Sequence, residues 1–448
     1  MREAFAGCFR ESEPLRGRGL VHVPFIVVCI ALLSLFRQVG TRPWRSLWAE
    51  DGAEFLLRAL DRGSASFTDS YAGYGHLLPR TMAMLASALP LAWAPWVFSV
   101  GAAIFIGLIA AFVFVASRAY FRNTVVSYLA AIAAGLSPVA QIETMNTVTN
   151  LQWYLMIAVF WGLLWCPRSR TSWIASALVG LIGFGSAPLV VLLLPLLLLR
   201  LVAKGRKAVD PFLAGSALGL AYQLSIALTA PQRPGGTLHP RALAEGWGVR
   251  GILEFVGTHF TTSWARDLGW ASVLIIFVSV LLAAVGGLLA AKNDPSGRTD
   301  VLTVALLIVI CVAFNGFFFA VSFTRGFVSL PEGLYDWHSL NLIAGSRYSV
   351  LPLYLVTVIV LLCVDHVLSS RNLFTYRAIL VAPAVALLGM ALVTDYRGGM
   401  LRAGSPQWPA EVARAQDDCR HGAETAHLKI APDNFVVSLS CAEVMRSR

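Results

Sequence analysis

The sequence predicts an all-α membrane protein that crosses the bilayer many times, with its N-terminus inside the cell and its C-terminus outside. Three observations carry that prediction. The 448 residues are 57% hydrophobic and only 13% charged, against about 25% charged in ordinary soluble domains. Apolar runs such as 97–116 and 270–291 match the roughly 20 residues needed to cross a bilayer. Basic residues crowd into the short loops between alternate runs, which is the density pattern of cytoplasmic loops. The net charge of +10 therefore follows the membrane and is not read as nucleic-acid affinity.

The N-terminal segment, with Arg2, Arg10, Arg16 and Arg18, is expected inside. No small-residue cleavage site follows the first apolar run, so 21–36 is read as a retained helix. A long outer loop over 37–92 comes next, then a helix over 93–116 that returns to Arg118 and Arg122. A helix over 125–141, an outer turn over 142–150 and a helix over 151–166 lead to Arg168 and Arg170 inside. One helix over 173–201 would put Arg200, Lys204, Arg206 and Lys207 outside, against the positive-inside rule. The run from Gly183 to Pro188 is a breaker, so two short helices are expected to meet at an outer turn near Gly185. Broken backbone at that depth either lines a cavity or forms a tight buried hairpin.

Further helices are expected over 211–229, 270–291, 301–321, 349–367 and 378–394. Outer loops cover 230–269 and 322–348; inner turns carry Lys292 and the pair Arg371 and Arg377. The total is about eleven helices. Residues 1–394 form the membrane module and 395–448 a small extracytoplasmic segment. Within that segment 426–430 and 435–439 alternate like strands. Cys419 and Cys441 are the only outer pair of cysteines; they suit a disulfide in an oxidising compartment, and the alternative is two unpaired thiols.

Polar residues that could do chemistry sit in the outer loops. Residues 48–55 read Trp-Ala-Glu-Asp-Gly-Ala-Glu-Phe and bring Glu50, Asp51 and Glu54 to the outer mouth. There a carboxylate can serve as general base or metal ligand, or Asp51 can cap a helix. The stretch Tyr71-Ala72-Gly73-Tyr74-Gly75-His76 lets backbone approach a ligand closely, although its tyrosines also suit interface anchoring. Arg80 opens an amphipathic segment over 80–89 expected to lie along the membrane surface. Arg80 and Arg347 suit phosphate oxygens; for Arg347, snorkelling at a helix end is the competing reading. Glu143, Asn146, Asn150 and Gln152 could bind sugar hydroxyls or cap helix ends. His259, Trp264, Arg266 and Asp267 form a further polar group, as do Arg325, Glu332, Asp336, Trp337 and His338 before Arg347-Tyr348. Walker loops, dinucleotide fingerprints, the His-Glu-x-x-His pattern and zinc-type cysteine clusters are missing.

A helix-1 exit followed by an acidic pair in a long first outer loop resembles the GT-C superfamily of polytopic glycosyltransferases, in a bacterial form. The sharp match is confined to 48–55, with 71–80 as support. The resemblance implies a polyprenyl-phosphate-linked sugar donor and a glycan, lipid or protein acceptor. It implies a site facing outward from the bacterial cytoplasmic membrane. The catalytic first-loop acid falls on Asp51 or Glu50, with Asp51 preferred as general base of an inverting displacement. The leaving phosphate would meet Arg80, Arg347 and His76. Tyr74, Glu54, Asn146, Asn150, His259 and Tyr348 would hold sugar or acceptor. No cofactor is required; a magnesium or manganese ion at Glu50 and Asp51 is compatible. A polysaccharide polymerase or ligase acting on lipid-linked glycans, and a lipid or solute transporter, are the alternatives. Helix centres nearly free of charge speak against transport.

Overall fold

Lipid offers the backbone no hydrogen-bond partners, so an apolar chain satisfies its amides by forming helices. Helices dominate the computed structural model of the chain. It describes residues 7–12, 17–38, 42–141, 144–204, 210–230, 240–292, 298–324, 346–369, 382–397, 402–432 and 435–446. Glu143, Arg325, Glu332, Asp336, Trp337 and His338 lie outside the described residues.

In order the helices are α1 His22–Phe36, α2 Leu57–Arg62, α3 Leu77–Ser87, α4 Gly101–Ser117, α5 Thr124–Gly135 and α6 Leu151–Leu164. Then come α7 Arg170–Ser186, α8 Leu194–Lys204, α9 Pro211–Ala227, α10 Pro240–Gly246, α11 Thr258–Leu268 and α12 Trp270–Lys292. The series closes with α13 Arg298–Thr324, α14 Val350–Ser369, α15 Ala382–Thr394, α16 Trp408–Arg420 and α17 Cys441–Arg446. Among the described residues five stretches are long and apolar enough to span a membrane: Gly19–Phe36, Leu91–Ser117, Trp270–Lys292, Val301–Ala320 and Arg347–His366. The pair Arg170–Ser186 and Pro188–Ala203, bent by 117°, makes a sixth if taken as one span. The chain is a helical membrane protein.

Two boundaries differ from the sequence reading for clear reasons. Helix α5 stops at Gly135, not 141, because Leu136 leaves the helical region and Pro138 cannot rejoin it. The break in 173–201 falls at Ala187, whose backbone is extended (φ −117°, ψ 98°); the following proline disfavours helix there. Helices α7 and α9 pack closely through glycines. A Cβ on Gly215 would come within 2.0 Å of the Ala177 carbonyl oxygen, and one on Gly219 within 2.5 Å of that of Leu181. Such small-xxx-small spacing lets membrane helices approach backbone to backbone.

Loops gather at the two ends of the bundle, joined by α1. At the end where α1 begins, strand β1 Arg10–Glu11 pairs in parallel with β2 Trp165–Cys166. There Tyr120 Oη lies 2.7 Å from the carbonyl oxygens of Cys8 and Leu164. Buried Arg200 donates to the Gly162, Leu163 and Trp165 carbonyls and to Asp210. At the end where α1 finishes, Arg37 donates to Ser137, Asp395 and Tyr396 carbonyls. The first loop and the C-terminal segment meet at this second end. Antiparallel strands β3 Thr425–Ile430 and β4 Phe435–Ser440 form a hairpin in register Leu428↔Val437, against α16. Cys419 and Cys441 are disulfide-bonded. Backbone bonds tie Ala431 to Leu47 and Ala49, and Trp408 Nε1 donates to the Leu91 carbonyl at 2.7 Å.

Candidate functional site

The acidic motif folds as a helical turn. Its first residues continue into a π turn, Asp51–Leu56, and then α2. Consecutive side chains on a helical turn leave its axis in different directions, so Glu50 and Asp51 face different surroundings. Gly52 is seated against Leu47 and Ile430, where a Cβ would meet their methyl carbons at 2.7 and 2.9 Å.

Asp51 turns inward and is fully buried. One carboxylate oxygen accepts from the Val148 amide at 3.1 Å. The other accepts from the Thr149 amide at 3.0 Å and its hydroxyl at 2.6 Å. Burial pushes the carboxyl up to about 6, while those donors and the Arg402 charge pull it down. The expectation that Asp51 faces water as a general base is therefore corrected: it clamps residues 148–149. Of the two acids expected to share a cation, Glu50 lines a cleft and Asp51 does not; both Asp51 oxygens accept from the Val148 and Thr149 donors. Among the described residues no group of three His, Cys, Asp or Glu side chains could hold a metal.

Glu50, by contrast, is half-exposed and lines a cleft of about 200 Å³ at the first-loop end. Its carboxylate has no hydrogen bond or ion pair to the described residues. Tyr71 and Tyr74 face it from the glycine-rich stretch. Asn150, Gln152 and Trp153 come from the start of α6, held next to Glu50 by the Asp51 clamp. Arg347 and Tyr348, at the start of α14, complete the polar wall. Pro188 and Leu189, at the break after α7, supply an apolar one, so that break does line a cavity.

Side chains in the cleft hold each other in place. Tyr74 Oη donates to Gln152 Oε1 at 3.3 Å; burial pushes the phenol up to about 12, so it remains a donor at neutral pH. Asn150 accepts from Trp153 Nε1 at 3.2 Å and donates to Thr147 at 3.1 Å. The Trp153 and Tyr348 rings meet edge to face, centroids 5.1 Å apart, and the Arg347 guanidinium lies 5.3 Å from the Tyr348 ring centre. Just beyond, Ser349 donates to Glu254, a fully buried acid paired with Arg250 at 3.5 Å. Burial drives Glu254 up to about 7, against the pull of Arg250 and Ser349. The sequence reading passed over this residue, which fixes the root of the Arg347-Tyr348 wall.

Of the residues expected to act together, Glu50, Tyr74, Asn150, Arg347 and Tyr348 do meet. The others do not. Arg80 is fully buried, 2.9 Å from Glu54 and over the Phe55 ring, so neither Arg80 nor Glu54 reaches the cleft. His76 is buried behind Tyr74, ring centroids 4.2 Å apart. Burial and the Arg80 charge push its imidazole down to about 3, so it is neutral and a poor phosphate ligand. Asn146 is buried, bonded to Ser34 and Gln38. His259 is exposed on α11, its amide donating to Asp395 at 3.2 Å. Trp153 and Thr149 were missed; the only sequence signal for them is their place at the head of a helix next to Asn150. No protein-family model matches the chain, and neither a curated protein nor a solved structure matches it.

Proposed function

We propose that this chain is a GT-C-like glycosyltransferase of the bacterial cytoplasmic membrane, moving a sugar from a polyprenyl phosphate to an acceptor hydroxyl on the outer side. The observation that carries the reading is one cleft holding a carboxylate with no partner among the described residues, a guanidinium and aromatic rings, with an apolar wall beside them. Aromatic faces suit sugar rings, and the amides of Asn150 and Gln152 suit hydroxyls. Arg347 suits a phosphate, and Pro188 and Leu189 suit the first isoprene units.

In this reading Glu50, in place of Asp51, takes the proton from the acceptor hydroxyl. The acceptor oxygen attacks the anomeric carbon as its bond to the phosphate oxygen breaks. Polyprenyl phosphate leaves with the electron pair, its charge held by Arg347; stabilising that charge is a main part of the acceleration. Configuration at the anomeric carbon inverts. No step calls for a metal held by Glu50 and Asp51. Eleven crossings, with N-terminus in and C-terminus out, belong to the same proposal. Supporting it, the basic N-terminal end lies across the bundle from the disulfide-bearing segment, which fits an oxidising exterior.

Reconstituted protein given a labelled polyprenyl-phosphate sugar tests it. Glu50→Gln is expected to lower transfer by about 10²–10⁴-fold, the usual contribution of a general base, with folding unchanged. Full transfer by Glu50→Gln would refute the assignment.

A further inference from the structure

A second polar cavity lies apart from the cleft, and the glycosyl-transfer reading gives it no role. It measures about 450 Å³ and is lined by Arg42, Arg45, Ser46, Arg402 and Ser405 among others. Among the described residues no acidic side chain lines it. Arg402 is 3% exposed, Ser46 2% and Ser405 7%, yet Arg402 Nε and both serine hydroxyls lack a hydrogen-bond partner among the described residues. Buried polar atoms left so are costly and rare, and here three of them line one basic cavity. The remaining Arg402 nitrogens are engaged: one with Ser99 Oγ at 3.0 Å, the other with the Asn146 carbonyl at 3.1 Å. Those bonds fix the guanidinium with its Nε still unused.

The surroundings give the cavity a depth in the membrane. Between Arg42 and Arg45 stands Trp44, whose ring lies 6.1 Å from Phe36 and 6.2 Å from Trp96. Phe36 and Trp96 are 60% and 51% exposed and sit at the ends of two spans. Exposed aromatics at span ends mark the headgroup level. Three arginines and two hydroxyls at that level match a tetrahedral phosphate oxyanion, which guanidinium groups bind through paired donors.

We propose that this cavity binds a phosphate group at the membrane surface, carried by an anionic lipid headgroup. The chemistry is shared with free inorganic phosphate, so the test separates the two. Full-length protein in mixed micelles is offered phosphatidylglycerol, phosphatidylcholine or inorganic phosphate alone, and ligand retention is read by native mass spectrometry. Phosphatidylglycerol is expected to be retained at least tenfold better than phosphatidylcholine. Arg42→Gln/Arg45→Gln is expected to abolish that preference and Arg42→Lys/Arg45→Lys to keep most of it. Should the double Gln variant not fold, Arg42→Gln alone, at an exposed position, is expected to weaken retention severalfold. Inorganic phosphate retained as well as the lipid would support the oxyanion site and overturn the lipid as its source. Equal retention of phosphatidylglycerol by wild type and the folded Gln variant, or no retention of either anion, would overturn the site. Transfer by the cleft is not read in this experiment, so it stands or falls apart from the glycosyltransferase reading.

Discussion

Glu50 and Asp51 are neighbours of one charge type with opposite jobs. Glu50 keeps its carboxylate for the cleft, whereas Asp51 spends three acceptor positions on Val148 and Thr149. Asp51→Asn would set an amide against N–H donors and is expected to cost about 1–3 kcal/mol of stability. Thermal unfolding in detergent should show this loss, with no such loss for Glu50→Gln; equal stability of both variants would contradict the clamp. His76 supplies a pH signature. Its folded pKa, near 3, lies below the ordinary 6.5, so the unfolded chain binds the extra proton. Its stabilising effect is complete above pH 6.5 and is lost as pH falls toward 3. From pH 7 to pH 5 wild type should lose roughly 2 kcal/mol relative to His76→Phe. Comparing the two proteins also cancels Asp51, whose raised pKa acts in the opposite sense over the same range. The sequence flagged the acidic pair but not which member faces water. That choice rests on Val148 and Thr149, almost a hundred residues away.

Elements were legible where hydropathy alone decides. Long apolar runs became helices near their expected bounds, and alternation in the C-terminal segment became β3 and β4. The break within 173–201 was readable from its glycines and proline, because backbone chemistry is local. Pairing of elements was not: nothing in the sequence says that α7 meets α9, or that Ala431 seats against Trp48. Arg80 shows the cost of that gap. Its segment is amphipathic and was expected on the membrane surface, yet the guanidinium is buried with Glu54. The α7–α9 contact leaves no room for even a methyl group. Gly215→Ala should force the helices apart at about 1–3 kcal/mol or more and lower the melting temperature. Because α7 leads directly into Pro188 and Leu189, the same change should weaken donor binding in the cleft. A melting temperature equal to wild type would contradict the close approach.

At the scale of the whole molecule, the first loop, the head of α6, the start of α14 and the C-terminal segment converge on one end of the bundle. Arg402 joins the last of these to the rest, donating to Ser99 and Asn146 and lying 5.3 Å from the Trp48 ring centre. The C-terminal segment thus braces the acidic motif from behind while the cleft opens in front. Composition announced the membrane class, but convergence of segments so far apart in sequence is a property of the fold alone. The most direct measurement is an experimental structure in lipid nanodiscs with a polyprenyl-phosphate sugar bound. The account predicts the phosphate within hydrogen-bonding reach of Arg347, the sugar against Trp153 and Tyr348, and the Glu50 carboxylate facing the anomeric carbon. Donor density elsewhere on the protein, with water alone between Glu50 and Arg347, would contradict it.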